Sequence, residues 1–246
     1  MTDTESRRGP YRPRHETERL LLEAGLEVIS EGGGTGAFDR ITAKDVAELA
    51  GVSTGAIYSR WESLEDYQRD LLIYRLRRQD SRSPIDFMEL FGQLSQDEIN
   101  AGELLRVMTP IDFEHQRRHP AWGPVLVAWS LRGDEVILDA LRTRYRKVRD
   151  ASDELAQAAM DFAGRRMRSG IKQRDLTVAM TALVDGLTMR SHINPNTANA
   201  TVQWPTDAPD PVDWSLVAVG SDCLVRYFTE PKDGTETRNF WEPASI

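Results

Sequence analysis

The chain has 246 residues, 40% of them hydrophobic and 28% charged, a composition typical of a globular protein rather than a fibrous or low-complexity one. Its formal net charge of −8 does not favour a protein that binds nucleic acid over its whole surface. The single cysteine, Cys223, excludes an internal disulfide framework, and no apolar run approaches the roughly 18 residues of a membrane helix. Because the N-terminus also lacks a signal-peptide pattern, we expect a cytoplasmic protein without a membrane segment.

The N-terminal segment predicts a basic arm followed by a helix. Residues 1–15 carry four arginines and two prolines without apolar periodicity, which indicates a mobile basic arm. From Glu16 the apolar residues recur at helical spacing, and the glycine-rich stretch 32–36 is expected to end this helix. The helix would begin the first folded domain, which we assign to residues 16–78.

Local capping signals define two short helices after the glycine-rich stretch. Thr42 begins the second helix, with Asp45 three residues later as a variant of the capping box. Gly51 lies where a residue in the left-handed conformation would end that helix. Ser53 is a good N-cap for a third helix over 54–60. Two short helices joined by so tight a turn predict a helix-turn-helix.

The remainder of the chain predicts further helices and no sheet. Ser63 opens a fourth helix that reaches about Arg78. The segment 194–211, rich in Pro, Asn and Thr, predicts a loop, as does the tail after Pro231. Because no run of alternating β-branched residues argues for a strand, the predicted fold class is all-α. The later helices are predicted near 85–93, 97–118, 121–131, 134–168, 175–192 and 213–229.

The third helix has an apolar face and an unusual polar face. Val52, Ile57 and Trp61 are spaced to lie inward. The outward positions carry small or hydroxyl side chains and a tyrosine, rather than the Glu, Lys and Gln of an ordinary solvated helix: Thr54, Gly55, Tyr58 and Ser59. Such a surface suits the major groove of DNA and its phosphates. A buried helical hairpin with a polar outer face would show the same spacing.

The segment ITAKDVAELAGVSTGAIYSRWESLEDY resembles the DNA-binding domain of the TetR family of bacterial regulators. The matching residues are Ile41-Thr42, Val46-Ala47, Ala50-Gly51-Val52-Ser53, Gly55, Ile57-Tyr58 and the aromatic Trp61. The family usually has Phe where Trp61 stands, and Lys, a common phosphate anchor, where Leu64 stands. The resemblance implies a three-helix helix-turn-helix domain at the N-terminus and a larger helical domain, residues 79–246, for effector binding and dimerisation.

The resemblance also implies a DNA interface and names double-stranded operator DNA as the partner. Thr42 would hold a phosphate, Lys44 a phosphate or base edge, and Arg60 the DNA backbone. The segment 51–61 contains Arg60 and no acidic residue, and screening over about 8–10 Å lets such local charge outweigh the distant total. The expected DNA-binding residues are Thr42, Lys44, Ser53, Thr54, Gly55, Tyr58, Ser59 and Arg60.

The second domain would bind a small apolar effector and a second copy of the chain. Aromatic and sulfur-containing residues cluster along three predicted helices and are the expected ligand-binding residues: Met108, Phe113, Trp122, Trp129 and Tyr145. A plain aromatic core would explain each of them equally well. A homodimer would form through the helices near 175–192 and 213–229, whose stripes at helical spacing contain Leu176, Ala179, Leu183, Leu187, Leu216, Val219 and Cys223.

Two alternatives to a repressor released by its effector are open. The first is a DNA-binding regulator with no small-molecule effector, which the sequence does not separate from a sensor. The second is an all-α metal-binding enzyme, because Asp112, His115 and His119 have the spacing of metal ligands on one helical face. Arg117 and Arg118 would place positive charge beside the cation, so we expect no metal, no cofactor and no enzymatic activity.

Overall fold

The computed structural model describes residues 13–31, 41–78, 85–96, 99–119, 122–205 and 210–234. This part of the chain is mostly helical, which confirms the predicted fold class. The helices are α1 (Arg14–Glu31), α2 (Ala43–Ala50), α3 (Gly55–Tyr58), α4 (Leu64–Arg77), α5 (Ile85–Leu94), α6 (Ala101–Arg118), α7 (Trp122–Ser130), α8 (Glu135–Phe162), α9 (Gln173–Ile193) and α10 (Leu216–Phe228). None of these helices is long and apolar enough to cross a membrane.

Four short strands accompany the helices: β1 (Arg165–Met167), β2 (Thr201–Trp204), β3 (Val212–Ser215) and β4 (Thr229–Pro231). They form two antiparallel pairs, β1 with β4 and β2 with β3. In the first pair Arg166 is opposite Glu230, and in the second Val202 is opposite Trp214. Each pair closes a connection next to α10, since β3 leads directly into that helix and β4 directly follows it.

The strands correct three sequence-based boundaries. The helix predicted over 134–168 ends at Phe162, because the following residues pair with β4. The segment 194–211, predicted as a loop, contains β2 and a short 3-10 turn, Pro195–Thr197. The last helix begins at Leu216 rather than at residue 213, because β3 takes up the residues before it. The predicted tail beyond residue 234 lies outside the described residues.

Contacts divide the chain into two compact units, residues 1–78 with 120–142, and residues 79–119 with 143–246. The sequence-based boundary after Arg78 places residues 120–142 in the second domain, whereas their contacts group them with the N-terminal helices. Helix α7 in this segment packs against α4. Beside it, the Nε of Arg69 lies 2.6 Å from Oδ2 of Asp134, and a second bond of 3.0 Å makes the pair bidentate.

In the first unit a buried hydrogen bond joins α1 to α4. The hydroxyl of Tyr67 donates to the carbonyl oxygen of Leu21 over 2.8 Å, and both side chains are fully buried. Gly25 follows one turn later on α1, where a Cβ atom would stand only 2.1 Å from the Tyr67 hydroxyl oxygen. Helix α1 can therefore approach α4 closely only because residue 25 has no side chain.

The boundary between the arm and α1 lies earlier than the sequence-based assignment placed it. Helix α1 begins at Arg14, because the carbonyl oxygen of Pro13 accepts the amide N–H groups of Glu16 and Thr17. Arg14 and His15, which were assigned to the arm, are thus helical. The rest of the predicted arm and the glycine-rich stretch 32–36 lie outside the described residues.

The caps of α2 agree with the sequence-based prediction. The hydroxyl oxygen of Thr42 accepts the amide of Asp45 over 3.2 Å and donates to its carboxylate over 2.7 Å. At the other end Gly51 adopts the left-handed conformation, with φ 65° and ψ 34°. The amides of Gly51 and Val52 bond to the carbonyl oxygens of Glu48 and Ala47, which is the Schellman arrangement of a helix end.

Helix α3 is shorter than predicted and begins later. Ser53 was expected to cap a helix over 54–60, but the helix spans only Gly55–Tyr58 and Thr54 occupies the capping position. Thr54 already has helical dihedral angles and makes no side-chain capping bond. The amide of Ala56 instead bonds to the carbonyl oxygen of Ser53 over 2.9 Å, so the turn and the helix are continuous.

The second unit is built around α6, α9 and α10. Helix α10 packs against both α6 and α9. Phe113 of α6, Val184 and Leu187 of α9, and Val217 of α10 form a buried cluster. Leu183 packs against the cluster and also crowds Gly220, where a Cβ atom would stand 2.8 Å from one of its methyl groups. The close contact of α9 with α10 places the remaining faces of both helices outward.

We expect Gly51→Ala to destabilise the first unit by about 1–2 kcal/mol, because an alanine is strained at positive φ while its Cβ would meet no atom. Gly55→Ala is the matched control, since that glycine is helical, has no positive φ, and its Cβ would make only an ordinary contact with Ser53, at 3.7 Å. The control should keep or raise stability, by up to about 1 kcal/mol. Thermal unfolding followed by circular dichroism measures both, and equal effects of the two changes would contradict the role of the turn.

Candidate functional site

The helix-turn-helix has a buried face and an exposed face, divided as its spacing predicts. Val46, Ala47, Ile57 and Trp61 are buried, and Val52 is half-buried in the turn. Of the expected DNA-binding residues all but one are exposed: Thr42, Lys44, Ser53, Thr54, Gly55, Tyr58 and Ser59. These residues form the solvent-exposed surface of three successive segments: the start of α2, the turn and α3. We call this surface the reading surface.

Tyr58 is the most prominent side chain of the reading surface, 53% exposed although it is large and aromatic. Beside it Gly55 leaves the backbone of α3 open, since a Cβ atom there would meet only Ser53, at 3.7 Å. A large side chain next to an open stretch of backbone gives a surface with both a projecting hydroxyl and room for a close approach. Phosphate oxygens and base edges accept hydrogen bonds from groups of this kind.

Arg60 lies at the edge of the reading surface and is folded back onto α3. Its Nη1 donates to the carbonyl oxygen of Ala56 over 2.7 Å and to the hydroxyl of Ser59 over 3.0 Å. The Ser59 hydroxyl in turn donates to the same carbonyl oxygen over 2.9 Å. The guanidinium therefore satisfies the carboxyl end of this short helix. Its Nε is buried without a partner in the described part of the chain.

The domain accommodates an indole at Trp61, where the TetR family that it resembles usually has Phe. The indole ring meets Tyr67 edge to face, with centroids 5.0 Å apart. Its Nε1 donates to Oδ2 of Asp70 on α4 over 2.9 Å, so the polar atom of the larger ring is satisfied. Leu64, where the family has Lys, is half-buried as the first residue of α4, behind the cap that Ser63 makes with Asp66.

The second unit contains a cavity of about 380 Å³ among α5, α6, α8, α9 and α10. This volume falls in the range of small-molecule sites, about 300–1,000 Å³. Most of its wall is apolar, with Phe87 and Phe91 from α5. Further apolar side chains come from the other helices: Leu104, Leu105, Met108, Val148, Leu155, Met160, Leu176, Met180, Val184 and Val225.

The wall also carries charged groups. Arg226 donates from Nε to Oδ2 of Asp222 over 2.7 Å, which pairs these two charges. The guanidinium of Arg165 is held by Thr229, through its hydroxyl over 2.6 Å and its carbonyl oxygen over 3.1 Å. Asp112 has neither a hydrogen bond nor an ion pair within the described part of the chain, and burial raises the pKa of its carboxyl to about 6.

The cavity gathers few of the residues that sequence reasoning proposed for the ligand. Met108 lines it, and Phe113 belongs to the buried cluster instead. The hydroxyl of Tyr145 donates to Asp185 over 3.2 Å, away from the lining residues. Trp122, which is buried, and Trp129, which is 50% exposed, belong to the first unit. The periodicity of α6, rather than the clustering of aromatic residues, would have pointed to its lining residues.

The spacing that suggested a metal site has another explanation. The rings of His115 and His119 pack edge to face, 5.6 Å between centroids, and Phe87 packs on His115. Asp112 lines the cavity. The described residues contain no group of three or more His, Cys, Asp or Glu side chains that would hold a metal ion.

On α9 and α10, most of the residues expected to form the dimer interface do not lie on the exposed face. Leu176 and Leu187 are buried within the unit, and Leu183 packs against its cluster; Ala179 and Val219 are half-buried, and Cys223 is exposed. Leu216, which the expected stripe contained, is exposed on α10, as is Tyr227, and the exposed apolar residues of α9 at helical spacing are Val178, Met189 and Ile193. We call these residues the outward stripe. Ile193 is 86% exposed. An apolar face of this kind is typical of an interaction surface.

Solved structures of transcription regulators share this architecture. A TetR transcription regulator from Haloarcula marismortui ATCC 43049 aligns with a TM-score of 0.51 and 14% identity, covering 88% of this chain and 100% of that one. A protein described as a putative TetR-family transcriptional regulator from Mesorhizobium loti MAFF303099 aligns with a TM-score of 0.52 and 11% identity, covering 89% and 97%. No protein-family model matches the sequence, and no curated protein is similar to it in sequence.

These similarities agree with the resemblance carried by the helix-turn-helix residues, and they extend it from the first unit to most of the chain. At 11–14% identity the agreement concerns architecture: an N-terminal helix-turn-helix followed by a larger helical region. The chain has the fold of the TetR-family transcription regulators.

Proposed function

We propose that the protein is a homodimeric DNA-binding repressor, acting in the cytoplasm, that leaves its operator when an apolar small molecule fills the cavity. The observation that carries the proposal is the reading surface, whose segment 51–61 contains no acidic residue and which is supported by a buried core in a chain with the TetR-type fold. The cavity of the second unit supports the effector over the alternative of a regulator without one. An enzyme is not proposed, because the residues that suggested a metal site do not assemble one.

Each subunit would place α3 in a major groove of double-stranded DNA. Thr54, Gly55 and Tyr58 would face the base edges and the groove rim, and Lys44 a phosphate. Thr42 would contribute through the start of α2, because its hydroxyl is already bonded to Asp45. Arg60 would have to release Ala56 to reach the DNA backbone. The two half-sites would lie about 34–36 Å apart, one turn of the duplex.

The dimer would form through the outward faces of α9 and α10, two helices from each subunit. This retains the helices expected from the sequence, and Leu216 with them, but replaces most of the contributing residues on α9. Val178, Met189 and Ile193 would meet the partner, while Leu176 and Leu187 belong to the core of their own subunit. Leaving these apolar side chains in water is unfavourable, and pairing the two copies would bury them.

Release would follow from unequal affinity of the effector for two subunit arrangements. A ligand that binds equally to both would shift nothing, however tightly it binds. The cavity is lined by α6, α8, α9 and α10, and two of these helices also carry the proposed dimer face. A change in how α9 and α10 pack around a ligand would therefore change the pairing of subunits, and with it the spacing of the two reading surfaces.

We expect Lys44→Ala to weaken binding to every duplex and to reduce the slope of log affinity against log salt by about 1, because one phosphate contact is lost. The control is Lys147→Ala, which removes an exposed lysine of α8 in the second unit and should leave the slope unchanged. Fluorescence anisotropy with labelled duplexes across a salt series measures both, using an operator selected from random-sequence DNA and one unrelated duplex. An unchanged slope in Lys44→Ala would exclude the phosphate contact.

Gly55→Ala separates a role in DNA binding from a role in folding. The new methyl group would stand on the open side of α3, so affinity for the selected operator should fall about tenfold or more while the fold keeps its stability. Gly92→Ala on α5, another helical glycine with free space around its Cβ, should keep both stability and affinity. If Gly55→Ala bound the operator like the unaltered protein, α3 would not approach DNA closely at this residue.

A charge in the outward stripe should separate the subunits. Met189→Asp should raise the dimer dissociation constant by at least about tenfold, because a buried unpaired carboxylate costs more than about 1.4 kcal/mol. Met189 is half exposed in the single chain, so the change should leave the subunit folded. Ile111→Asp, at an exposed apolar residue of α6, is the control. Sedimentation velocity should show dissociation into monomers on dilution only for Met189→Asp. If Met189→Asp remained a dimer at the same concentrations, the interface would lie elsewhere.

A further inference from the structure

We propose that the cavity binds an apolar amine, a ligand with an alkyl or aromatic body and a protonated nitrogen, and that the carboxylate of Asp112 binds this nitrogen. The inference deepens the proposed function by naming the chemical class of the effector. It concerns binding to the cavity, which is measurable without DNA.

Among the described residues, Asp112 has an unpaired carboxyl in mostly apolar surroundings. Its side chain lines a cavity whose wall is mostly apolar, and on α6 it stands one turn after Met108, which also lines the cavity. Within the described part of the chain no donor or cation is bonded to it. An ionised carboxylate removed from water is costly unless a cation or hydrogen-bond donors compensate it. No cation or donor among the described residues compensates the Asp112 carboxylate, and a cationic ligand would do so.

The hydroxyl groups of the wall do not supply the compensation either. Those of Thr109, Ser152 and Thr181 each donate to a backbone carbonyl oxygen one turn earlier on their own helix, over 2.8–2.9 Å. The hydroxyl of Thr177 donates to Asp153. These groups are satisfied inside the protein, so a ligand would gain little by bonding to them.

Two further polar groups of the wall are available to a ligand that reaches Asp112. The hydroxyl of Ser221 on α10 is buried and has no partner within the described residues. Gln116 stands one turn after Asp112 on α6 and also lines the cavity. A protonated amine carries several N–H donors, so one carboxylate leaves donors for additional acceptors. Within the described residues, Ser221 and Gln116 are thus neutral groups that can accept hydrogen bonds from an amine held by the Asp112 carboxylate.

The arginines of the wall are the competing feature, because they would favour an anionic ligand. Arg226 is already paired with Asp222, whose Oδ2 also accepts the indole Nε1 of Trp204 over 2.8 Å. Arg165 donates twice to Thr229. Both guanidinium groups therefore have hydrogen-bond partners, although only Arg226 is paired with a carboxylate. Within the described residues Asp112 is the charged group of the wall that has no hydrogen-bond partner, and a protonated amine would bond to it.

Titration of Asp112 provides a second, independent readout. Burial raises the pKa of its carboxyl to about 6, and the other charged groups of the wall, Arg165, Asp222 and Arg226, do not contribute to the shift. A protonated amine binds the carboxylate form, so its affinity should be close to its full value at about pH 7 and above and should decline as the pH falls through about 6. An alkylamine, with a pKa near that of lysine at about 10.4, stays protonated throughout.

The test uses the purified full-length protein and three ligands that share one alkyl chain: decylamine, 1-decanol and decanoate. At a pH of about 7.5, decylamine should bind at least about tenfold more tightly than 1-decanol, because it adds the ion pair to the same apolar contacts. Isothermal titration calorimetry measures each affinity. Equal affinities of decylamine and 1-decanol, or tighter binding of decanoate, would overturn the proposal.

Variants assign the effect to Asp112. Asp112→Asn should lose the preference for decylamine and its pH dependence while binding 1-decanol as before. It should also fold well, because the unfolded carboxyl titrates near 3.8 and the folded one near 6, so the charged group costs stability above pH 6 that Asn does not. The control is Asp185→Asn, a half-buried carboxyl whose pKa is also raised by burial but which accepts the Tyr145 hydroxyl. If Asp112→Asn kept the preference, the nitrogen would bind elsewhere.

The outcome is separable from that of the proposed function. If decylamine binds through Asp112 but leaves the operator complex intact, the ligand class stands and the effector role of the proposed function fails. If the protein binds a selected operator but shows no preference for the amine, the DNA-binding role stands and the ligand class fails.

Discussion

The left-handed backbone at Gly51 is the constraint on which the proposed DNA interface depends. It ends α2 and begins the four-residue connection to α3, 51–54, and the amides of Gly51 and Val52 bond to carbonyl oxygens in the last turn of α2. Helix α3 has only four residues and no side-chain cap, so it has little stability of its own. Its orientation comes from the turn before it and from the burial of Ile57 and Trp61 behind it. The buried half of the helix thus positions its exposed half.

Charge acts locally in this protein, and the net charge of −8 describes the chain rather than the reading surface. Exposed acids do flank that surface, with Glu48 on α2 and Glu62 just after Arg60. Arg60 is turned onto its own helix, so Lys44 is the positive group of the surface that stands free in solvent. Binding to any single duplex segment should therefore be weak, and useful affinity should depend on pairing two subunits. In the proposed function, DNA binding would therefore depend on dimerisation.

Features determined by neighbours in sequence were predictable, and features determined by distant partners were not. The Thr42 and Ser63 caps and the Gly51 turn depend on residues three to five positions away, and the structure has them where the sequence indicates. Strand β1 is three residues long and exists because β4 pairs with it some 60 residues later, as with Arg166 and Glu230. No periodicity can accumulate over so short a strand.

The same distinction separates the two sites. The reading surface lies within one short segment, so its spacing predicts which side chains point outward. The cavity is assembled from five helices and a strand, and its lining depends on how they pack. Aromatic residues close together in sequence, such as Trp122 and Trp129, were a poor guide because they belong to the other unit. Met108 was found because it lies on α6, whose inner face forms one wall of the cavity.

Gly55 and Asp112 share a property that local rules of folding do not explain. A glycine in an exposed helix costs about 1 kcal/mol relative to alanine, and a carboxylate in an apolar cavity is unfavourable unless it is paired. At each residue a more stabilising side chain would fit, since the Cβ space at Gly55 is open and Asn matches the shape of Asp112. Departures from local stability concentrate where a protein contacts something else. In the proposed function, the absent side chain at Gly55 would leave room for DNA, and the unpaired carboxylate of Asp112 would give a mostly apolar cavity a means of selecting its ligand.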